Sequence, residues 1–381
     1  MALRIAVLSE RADGETRVSA TPETVRKFIA LGASVAIETG AGAHASIADA
    51  DYAAAGAEVG PVAQAVRGAD IVLGVQGPEA PLLAGASPGA WIVAGLDPFG
   101  QRARVAAYAA AGFEALAMEF MPRITRAQSM DILSSQSNLS GYKAVIEAAN
   151  LYGRAFPLMM TAAGTVSAAR VFVMGVGVAG LQAIATARRL GAQVSATDVR
   201  SATKEQILSL GAKPVFVESV AGIEGEGAGG YATEMSEEYQ KAQAELVSAH
   251  LAKQDIVVTT ALIPGRVAPR LISDAQLATM KPGSVVFDLA VAQGDGTGGN
   301  VEGSVADQVV ERHGVKIMGF SNTPARLPAD ASALFARNLY NFLSAFWDKE
   351  AGRPVLDAEI GDAVRLTRDG TIVNPRLLPG A

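Results

Sequence analysis

Three glycines spaced as Gly175-x-Gly177-x-x-Gly180 end the apolar run Val171-Phe172-Val173-Met174 and lead directly into Leu181-Gln182-Ala183-Ile184-Ala185-Thr186-Ala187. A strand, a tight turn and a helix start in that order make an anion cradle. The first glycine makes the turn, the second lets a pyrophosphate approach the backbone, and the third lets helix and strand pack closely. Phosphates then rest on the helix N-terminus, at Val178 and Ala179. A second run, Gln193-Val194-Ser195-Ala196-Thr197, ends at Asp198, with Val199 and Arg200 after it. A carboxylate about 20 residues beyond the glycines accepts hydrogen bonds from an adenosine ribose 2′-hydroxyl and repels a 2′-phosphate. The combination predicts a bound dinucleotide, NAD(H) rather than NADP(H). The purely structural use of the same residues would be a glycine turn beside an N-capping Asp.

The elements that must hold this cradle alternate on both sides of it. After the fingerprint, Thr203 to Leu210 and Ser273 to Met280 read as helices. Pro214 to Val217, Ile256 to Thr260, Ser284 to Leu289 and Val315 to Gly319 read as strands. With the two runs already named, that makes six strands, enough for a full dinucleotide fold. Before the fingerprint, Leu3 to Leu8, Ser34 to Glu38, Ile71 to Val75, Trp91 to Ala94 and Phe113 to Ala117 read as strands. Between them, Thr21-Pro22 starts a helix that runs to Gly32, with Thr at N-cap and Pro at N1. This first α/β pattern has no glycine fingerprint of its own. The tail is a helix from about Ala331 to Trp347 and a hairpin from Val364 to Val373 on an Asp369-Gly370 turn. Too short to fold alone, it is expected to complete the first domain.

The expected architecture is thus α/β with two Rossmann-like parallel-sheet domains. The NAD domain, residues 134–322, is inserted into a discontinuous first domain, residues 1–133 and 323–381. Long helices after Ser134 and after Ala331 join them across a cleft. Ser219 to Glu238 breaks the rhythm, with Gly225, Gly227, Gly229 and Gly230 before Tyr231. So much glycine predicts a mobile excursion, residues 222–234, that closes over a ligand. Gly294 to Gly299 reads as an ordinary loop.

Half of the 381 residues are apolar, enough for two cores. The net charge of −6 and the lack of a basic run argue against nucleic acid as a partner. With no cysteine there is no disulfide framework, thiolate nucleophile or zinc-thiolate site, and the start Met1-Ala2-Leu3-Arg4 has no signal-peptide pattern, so the cytoplasm is the expected location. The uncharged stretch Val171 to Ala187 is too short and too glycine-rich for a membrane span and reads better as a buried strand and helix. His44, His250 and His313 are scattered and read as structural or surface residues, and no metal site is expected. No Gly-x-Ser-x-Gly or P-loop pattern supplies hydrolase or kinase machinery.

Between the two α/β patterns lies Met121-Pro122-Arg123-Ile124-Thr125-Arg126-Ala127-Gln128-Ser129-Met130-Asp131-Ile132-Leu133-Ser134-Ser135-Gln136-Ser137-Asn138. It reads either as a polar linker or as a functional loop. A loop joining two α/β domains borders the cleft into which a bound dinucleotide points its nicotinamide, which favours function.

With these motifs in place, the whole chain resembles the NAD(H)-binding component, domain I, of proton-translocating nicotinamide nucleotide transhydrogenase, with the alanine dehydrogenases as relatives. The polar loop is similar to that family's signature loop, which implies Arg123, Gln128, Asp131 and Ser134 as the residues that hold the nicotinamide. Gly175 to Ala187, Ala196 to Arg200, Gly229 to Ala232 with Tyr231 as the mobile-loop tyrosine, and Ala261-Leu262-Ile263-Pro264-Gly265 match as well. The resemblance implies a homodimer on the cytoplasmic face of the membrane. It also implies partner polypeptides that bind NADP(H) and form the membrane-spanning proton channel.

Two other readings can be weighed on residues. An alanine dehydrogenase needs acid/base groups and a cation for the substrate carboxylate. Where those relatives carry Lys, His and Asp, this chain has Gln76, Gly95 and Ala292, and only Arg17 remains. An NAD-sensing regulatory subunit would keep the fingerprint but leaves the polar loop unexplained. Hydride transfer between two nicotinamides needs positioning rather than a titrating base, and that matches a loop of neutral donors and acceptors.

Overall fold

The computed structural model describes residues 2–217, 237–262 and 266–378. The chain forms two compact units, Met1–Gln136 with Ala325–Ala381, and Ser137–Pro324.

In the first unit, β1 (Arg4–Val7), β2 (Ser34–Glu38), β3 (Glu58–Gly60), β4 (Ile71–Gln76), β5 (Trp91–Gly95) and β6 (Glu114–Ala117) form a parallel sheet ordered β3-β2-β1-β4-β5-β6. Short crossover helices α1 (Pro22–Ala30), α2 (Asp49–Ala54), α3 (Val62–Val66) and α4 (Arg102–Ala110) cover it. The Thr21 hydroxyl accepts from the Thr24 N–H while the Thr24 hydroxyl accepts from the Thr21 N–H, a reciprocal cap that starts α1. Edge strand β3 is absent from the sequence reading. It holds one valine between an exposed Glu58 and Gly60, too short to show an alternation.

Helix α5 (Ile132–Leu151) leads into the second unit, which opens with an exposed hairpin, β7 (Met159–Thr161) and β8 (Gly164–Val166). Then come β9 (Arg170–Met174), α6 (Val178–Arg189), β10 (Gln193–Thr197), α7 (Thr203–Ser209), β11 (Lys213–Pro214), α8 (Glu237–Leu251), β12 (Ile256–Thr259), α9 (Asp274–Leu277), β13 (Val285–Asp288), β14 (Gln308–Arg312) and β15 (Val315–Gly319). The sheet order is β11-β10-β9-β12-β13-β15-β14. This sheet is mixed, not wholly parallel as expected, because β14 pairs antiparallel with β15. His313 and Gly314, at φ 53° and 75°, make the turn between them, and a histidine there hides the usual Asn-Gly hairpin signal. The strand expected at Pro214 to Val217 is Lys213–Pro214, in register with Ser195 and Ala196 of β10, and the Val215 N–H after it donates to the Ala196 carbonyl at 2.8 Å. The expected lid with Tyr231, and Ile263 to Gly265, lie outside the described residues.

The chain returns to the first unit with α10 (Pro328–Ala345), whose Phe335, Leu339 and Phe342 pack with Ile5, Phe28 and Leu73 in its core. A short pair, β16 (Trp347–Asp348) with β17 (Arg353–Pro354), precedes α11 (Ala358–Val364), and the tail hairpin is β18 (Thr367–Arg368) with β19 (Thr371–Ile372). Val364 thus ends a helix rather than starting a strand, because Asp357 caps that helix by accepting from the Ile360 N–H. The segment after it seats on β6, where the Leu366 N–H donates to the Ala115 carbonyl and the Thr367 hydroxyl donates to the Phe113 carbonyl. The uncharged stretch Val171 to Ala187 divides into β9 and α6, and among the described residues no helix is long and apolar enough to cross a membrane.

Candidate nucleotide site

The sheet of the second unit reverses its order between β9 and β12, and the fingerprint lies at the carboxyl end of β9. Each glycine has its own steric reason. Gly175 sits at φ 101°, and a Cβ there would lie 2.5 Å from the Thr260 hydroxyl. Gly180 places its Cα where a Cβ would stand 1.9 Å from the Gly175 carbonyl oxygen, so α6 can approach the turn only without a side chain there. A Cβ on Gly177, the N-cap of α6, would meet nothing within 4 Å. Gly177 and Val178 are exposed, so the N-terminus of α6, where helix N–H groups lack intrahelical partners, lies at the surface. Within this unit Gly141 of α5 also packs so tightly that a Cβ would lie 2.0 Å from the Ala179 carbonyl oxygen.

Asp198 is buried at the end of β10. Its Oδ2 accepts from the Val176 N–H at 2.7 Å, and its Oδ1 accepts from the Arg200 N–H at 2.9 Å. The Arg200 guanidinium adds a two-pronged ion pair, Nε to Oδ1 at 2.9 Å and Nη2 to Oδ2 at 3.0 Å. The carboxylate is thus fixed beside the glycine turn with its charge offset by its neighbour two residues on, a pairing the sequence reading did not foresee. Val199 between them is half-buried. Ala261 and Leu262 follow β12 on the other side of the turn, where the Thr260 hydroxyl donates to the Gly175 carbonyl at 3.0 Å.

Arg123, Gln128, Asp131 and Ser134 are gathered in one short segment of the first unit. The Asp131 carboxylate accepts from the Ser134 N–H at 3.0 Å and from its hydroxyl at 2.5 Å, which caps α5. Arg123 and Gln128 are exposed, whereas Ala127 and Met130 of the same segment are anchored in the core. Asn338 and Asn341 of α10 both donate to the Ser129 carbonyl, at 2.9 and 3.0 Å. The segment is therefore a pinned backbone that displays selected polar side chains. Arg126 braces it by pairing with Asp357 and Glu359.

Arg17, expected from the sequence as the remaining cation of an amino-acid site, has partners within the first unit. Its Nε and Nη2 each donate to Glu15 at 2.7 Å and its Nη1 donates to Gln136 at 3.0 Å, while Gln76 donates to the same Glu15 at 2.9 Å. Burial pushes the Glu15 carboxyl up, but the hydrogen bonds and charge of Arg17 outweigh it and hold the group below its ordinary range. Gln76 thus serves an internal ion pair. Sequence reasoning also missed Glu10 and Glu119. The Glu10 carboxylate accepts from the Val75 and Gln76 N–H groups at the end of β4, and Glu119 accepts from the Leu96 and Asp97 N–H groups just beyond β5. Burial pushes both up to about 7.

His250 contacts the Ser195 hydroxyl at 2.8 Å and lies edge-on to Phe172, a packing role, and His313 pairs with Asp274 at the surface. His44 is exposed in a short 3₁₀ turn. Among the described residues no group of acidic and histidine side chains could hold a metal ion.

Residues 6–140 match the family model described as alanine dehydrogenase/PNT, N-terminal domain, and residues 144–375 match its C-terminal domain. Over 386 residues the chain is 52% identical to the first of the polypeptides that make up the NAD(P) transhydrogenase alpha subunit of Rhodospirillum rubrum, covering 98% of this chain and 99% of the relative. It is 44% identical to the protein of the same name from Rickettsia prowazekii, covering 98% of this chain and 96% of that one. The crystal structure of transhydrogenase from Sinorhizobium meliloti superposes with a TM-score of 0.87 at 50% identity, covering 97% of this chain and all of that one. An L-alanine dehydrogenase structure gives a TM-score of 0.79 at 25% identity, covering 98% of each chain. With both halves of the family model and nearly full-length relatives of this identity, the chain belongs to the alanine dehydrogenase/PNT family, alongside the NAD(P) transhydrogenase alpha subunits.

Proposed function

We propose that this chain is the NAD(H)-binding subunit of a proton-translocating NAD(P) transhydrogenase. The observation that carries the reading is a contrast within the chain: the glycine cradle beside Asp198 is open, while Arg17, the remnant of an amino-acid site, is consumed by Glu15. The residues present fit a dinucleotide. The N–H groups at Val178 and Ala179 would hold its pyrophosphate, Asp198 with Val199 and Arg200 its adenosine ribose, and the backbone of Ala261 and Leu262 its other half, with Tyr231 as a further contact. When bound, the dihydronicotinamide supplies a hydride from its C4 to the C4 of a second nicotinamide.

This chain's own contribution is orientation and exclusion of water, and no proton need move at the reacting carbons. Gln128 and Arg123, displayed from the pinned segment, would position the nicotinamide, with Asp131 and Ser134 holding the loop and its helix in register. One fingerprint serves one nucleotide. NADP(H) is therefore assigned to a partner subunit, and proton passage to a membrane-spanning component. The naming of the relatives as one portion of a divided alpha subunit supports that division. We place the chain as a homodimer on the cytoplasmic face, held there by its partners.

The test mixes the pure chain with a transhydrogenase NADP-binding component and follows reduction of an NAD analogue. Transfer is expected only in the mixture, and alanine oxidation in the same sample is expected to be absent. No transfer with the partner present, or turnover of alanine, overturns the proposal. In this assay Gln128→Asn, one methylene shorter, is expected to leave NADH affinity nearly unchanged and to slow single-turnover transfer on the order of a hundredfold. A wild-type rate would reduce the segment to a linker.

A further inference from the structure

The glycine cluster expected to be an ordinary loop is a packed support. A Cβ on Gly299 would lie 2.5 Å from the Ala290 carbonyl group, and one on Gly298, at φ 128°, would lie 2.2 Å from the Val301 carbonyl oxygen. This close packing brings the loop onto Asp288, which is fully buried at the end of β13. The Asp288 carboxylate accepts from the N–H groups of Ala290 at 2.9 Å, Asn300 at 3.2 Å and Val301 at 3.0 Å, and from the Ser304 hydroxyl at 2.7 Å. A buried carboxylate with four donors holds its donors in place, because moving any one of them exposes unmet charge.

Asn300, likewise fully buried, turns its side chain toward the end of β12. Its Oδ1 accepts from the Ala261 N–H at 3.0 Å, and its Nδ2 donates to the carbonyls of Ala261 at 2.9 Å and Pro269 at 2.8 Å. One amide thus satisfies both backbone polar atoms of Ala261, which also fixes which end of the amide is oxygen. With every hydrogen-bonding atom of the side chain engaged inside the protein, Asn300 acts on a ligand through the backbone it holds, Ala261 with two hydrogen bonds and Pro269 with one.

We propose that Asn300 is a positioning residue for the nicotinamide half of the dinucleotide, setting the backbone of Ala261 and Leu262 against it. The inference rests on the NAD(H) reading above. The sidedness comes from the sheet: Asp198 lies on the β10 side of the glycine turn and takes the adenosine ribose, so the other nucleoside falls on the β12 side, where Ala261 lies.

The test compares dissociation constants for NADH and for ADP, which carries only the adenosine half and its phosphates, in the full chain with Asn300→Ala. Thermal midpoint serves as the folding check. NADH is expected to bind roughly tenfold more weakly, with ADP affinity within about twofold of wild type. Amide hydrogen exchange at Ala261 is expected to quicken while that at Val258 stays slow. If Asn300→Ala does not fold, Asn300→Ser, whose hydroxyl can serve some of the same backbone, is expected to weaken NADH a few-fold and again spare ADP. Equal losses for NADH and ADP, or no loss in a folded variant, overturn the proposal. Wild-type chain that binds neither NADH nor ADP overturns it too, and that result alone also removes the nucleotide reading beneath it.

Discussion

In the first unit the order β3-β2-β1-β4-β5-β6 reverses between β1 and β4; in the second, β11-β10-β9-β12-β13-β15 reverses between β9 and β12. The two sheets offer the same crevice, and the residues that follow the strands make opposite use of it. After β9 comes a glycine turn at whose end Gly177 and Val178, the start of α6, are exposed, and a Cβ on Gly177 would meet nothing within 4 Å. After β1 come Leu8, Ser9, Glu10 and Arg11, and the Glu10 carboxylate itself takes up the N–H groups of Val75 and Gln76 beside a cavity of about 170 Å³. Glu119 does the same beyond β5. Beside its crevice the first unit fills strand-end donors with Glu10, whereas the second, which uses Asp198 and Asp288 in the same way, leaves the exposed start of α6 at Gly177 and Val178 for a ligand. Topology sets where a site can be, and a few residues decide whether it is one.

The sharpest way to break this contrast is steric. Gly180→Ala puts a methyl group against the Gly175 carbonyl, and we expect a loss of about 2 to 3 kcal/mol in unfolding free energy together with loss of NADH binding. Gly177→Ala meets open space, so stability should stay within about 0.5 kcal/mol while NADH weakens at least tenfold. Urea titrations with NADH fluorescence separate the two, and equal behaviour of both variants would deny the glycines separate roles.

Next in size is the effect of pH on the first unit. Glu10 and Glu119 have folded values near 7 against an ordinary 4.5, so the folded state holds their protons longer than the unfolded chain. Their stabilising contribution is fully present below about 4.5 and is lost as pH rises through about 7. Between pH 5 and 8 the urea midpoint should fall, by an amount equivalent to about 1 to 3 kcal/mol. Glu10→Gln should flatten some of that slope, and a wild-type midpoint that rises with pH would contradict these assignments.

The smallest expected effect concerns Asp198→Ala. With Arg200 already paired to it, the carboxylate repels a 2′-phosphate less than a lone charge would. The variant should narrow the NADH over NADPH preference roughly tenfold, chiefly by weakening NADH. An unchanged preference in fluorescence titration would mean that this carboxylate does not read the ribose.

What could be read from the sequence was local. The fingerprint, the Thr21 cap and the Asp369-Gly370 turn are each set by neighbouring residues, and the structure places all three where their spacing predicts. What could not be read depends on partners far along the chain. Asn300 reaches Ala261 across 39 residues, and Arg17 meets Gln136 across 119. Edge strands β3 and β14 escaped because each has one face or less to bury, so their apolar pattern is too thin to register.

The way the tail seats on β6 carries a consequence for synthesis. The second unit is one continuous stretch ending at Pro324, so all of its strands have emerged from the ribosome while the first unit still lacks α10, α11 and the segment that covers β6. At roughly 5 to 20 residues per second, the strand edge at Ala115 stays bare for roughly 10 to 50 seconds before Leu366 and Thr367 arrive to pair with it. The unit that begins first is thus completed last, and in that interval its bare edge is open to pairing with a stranger.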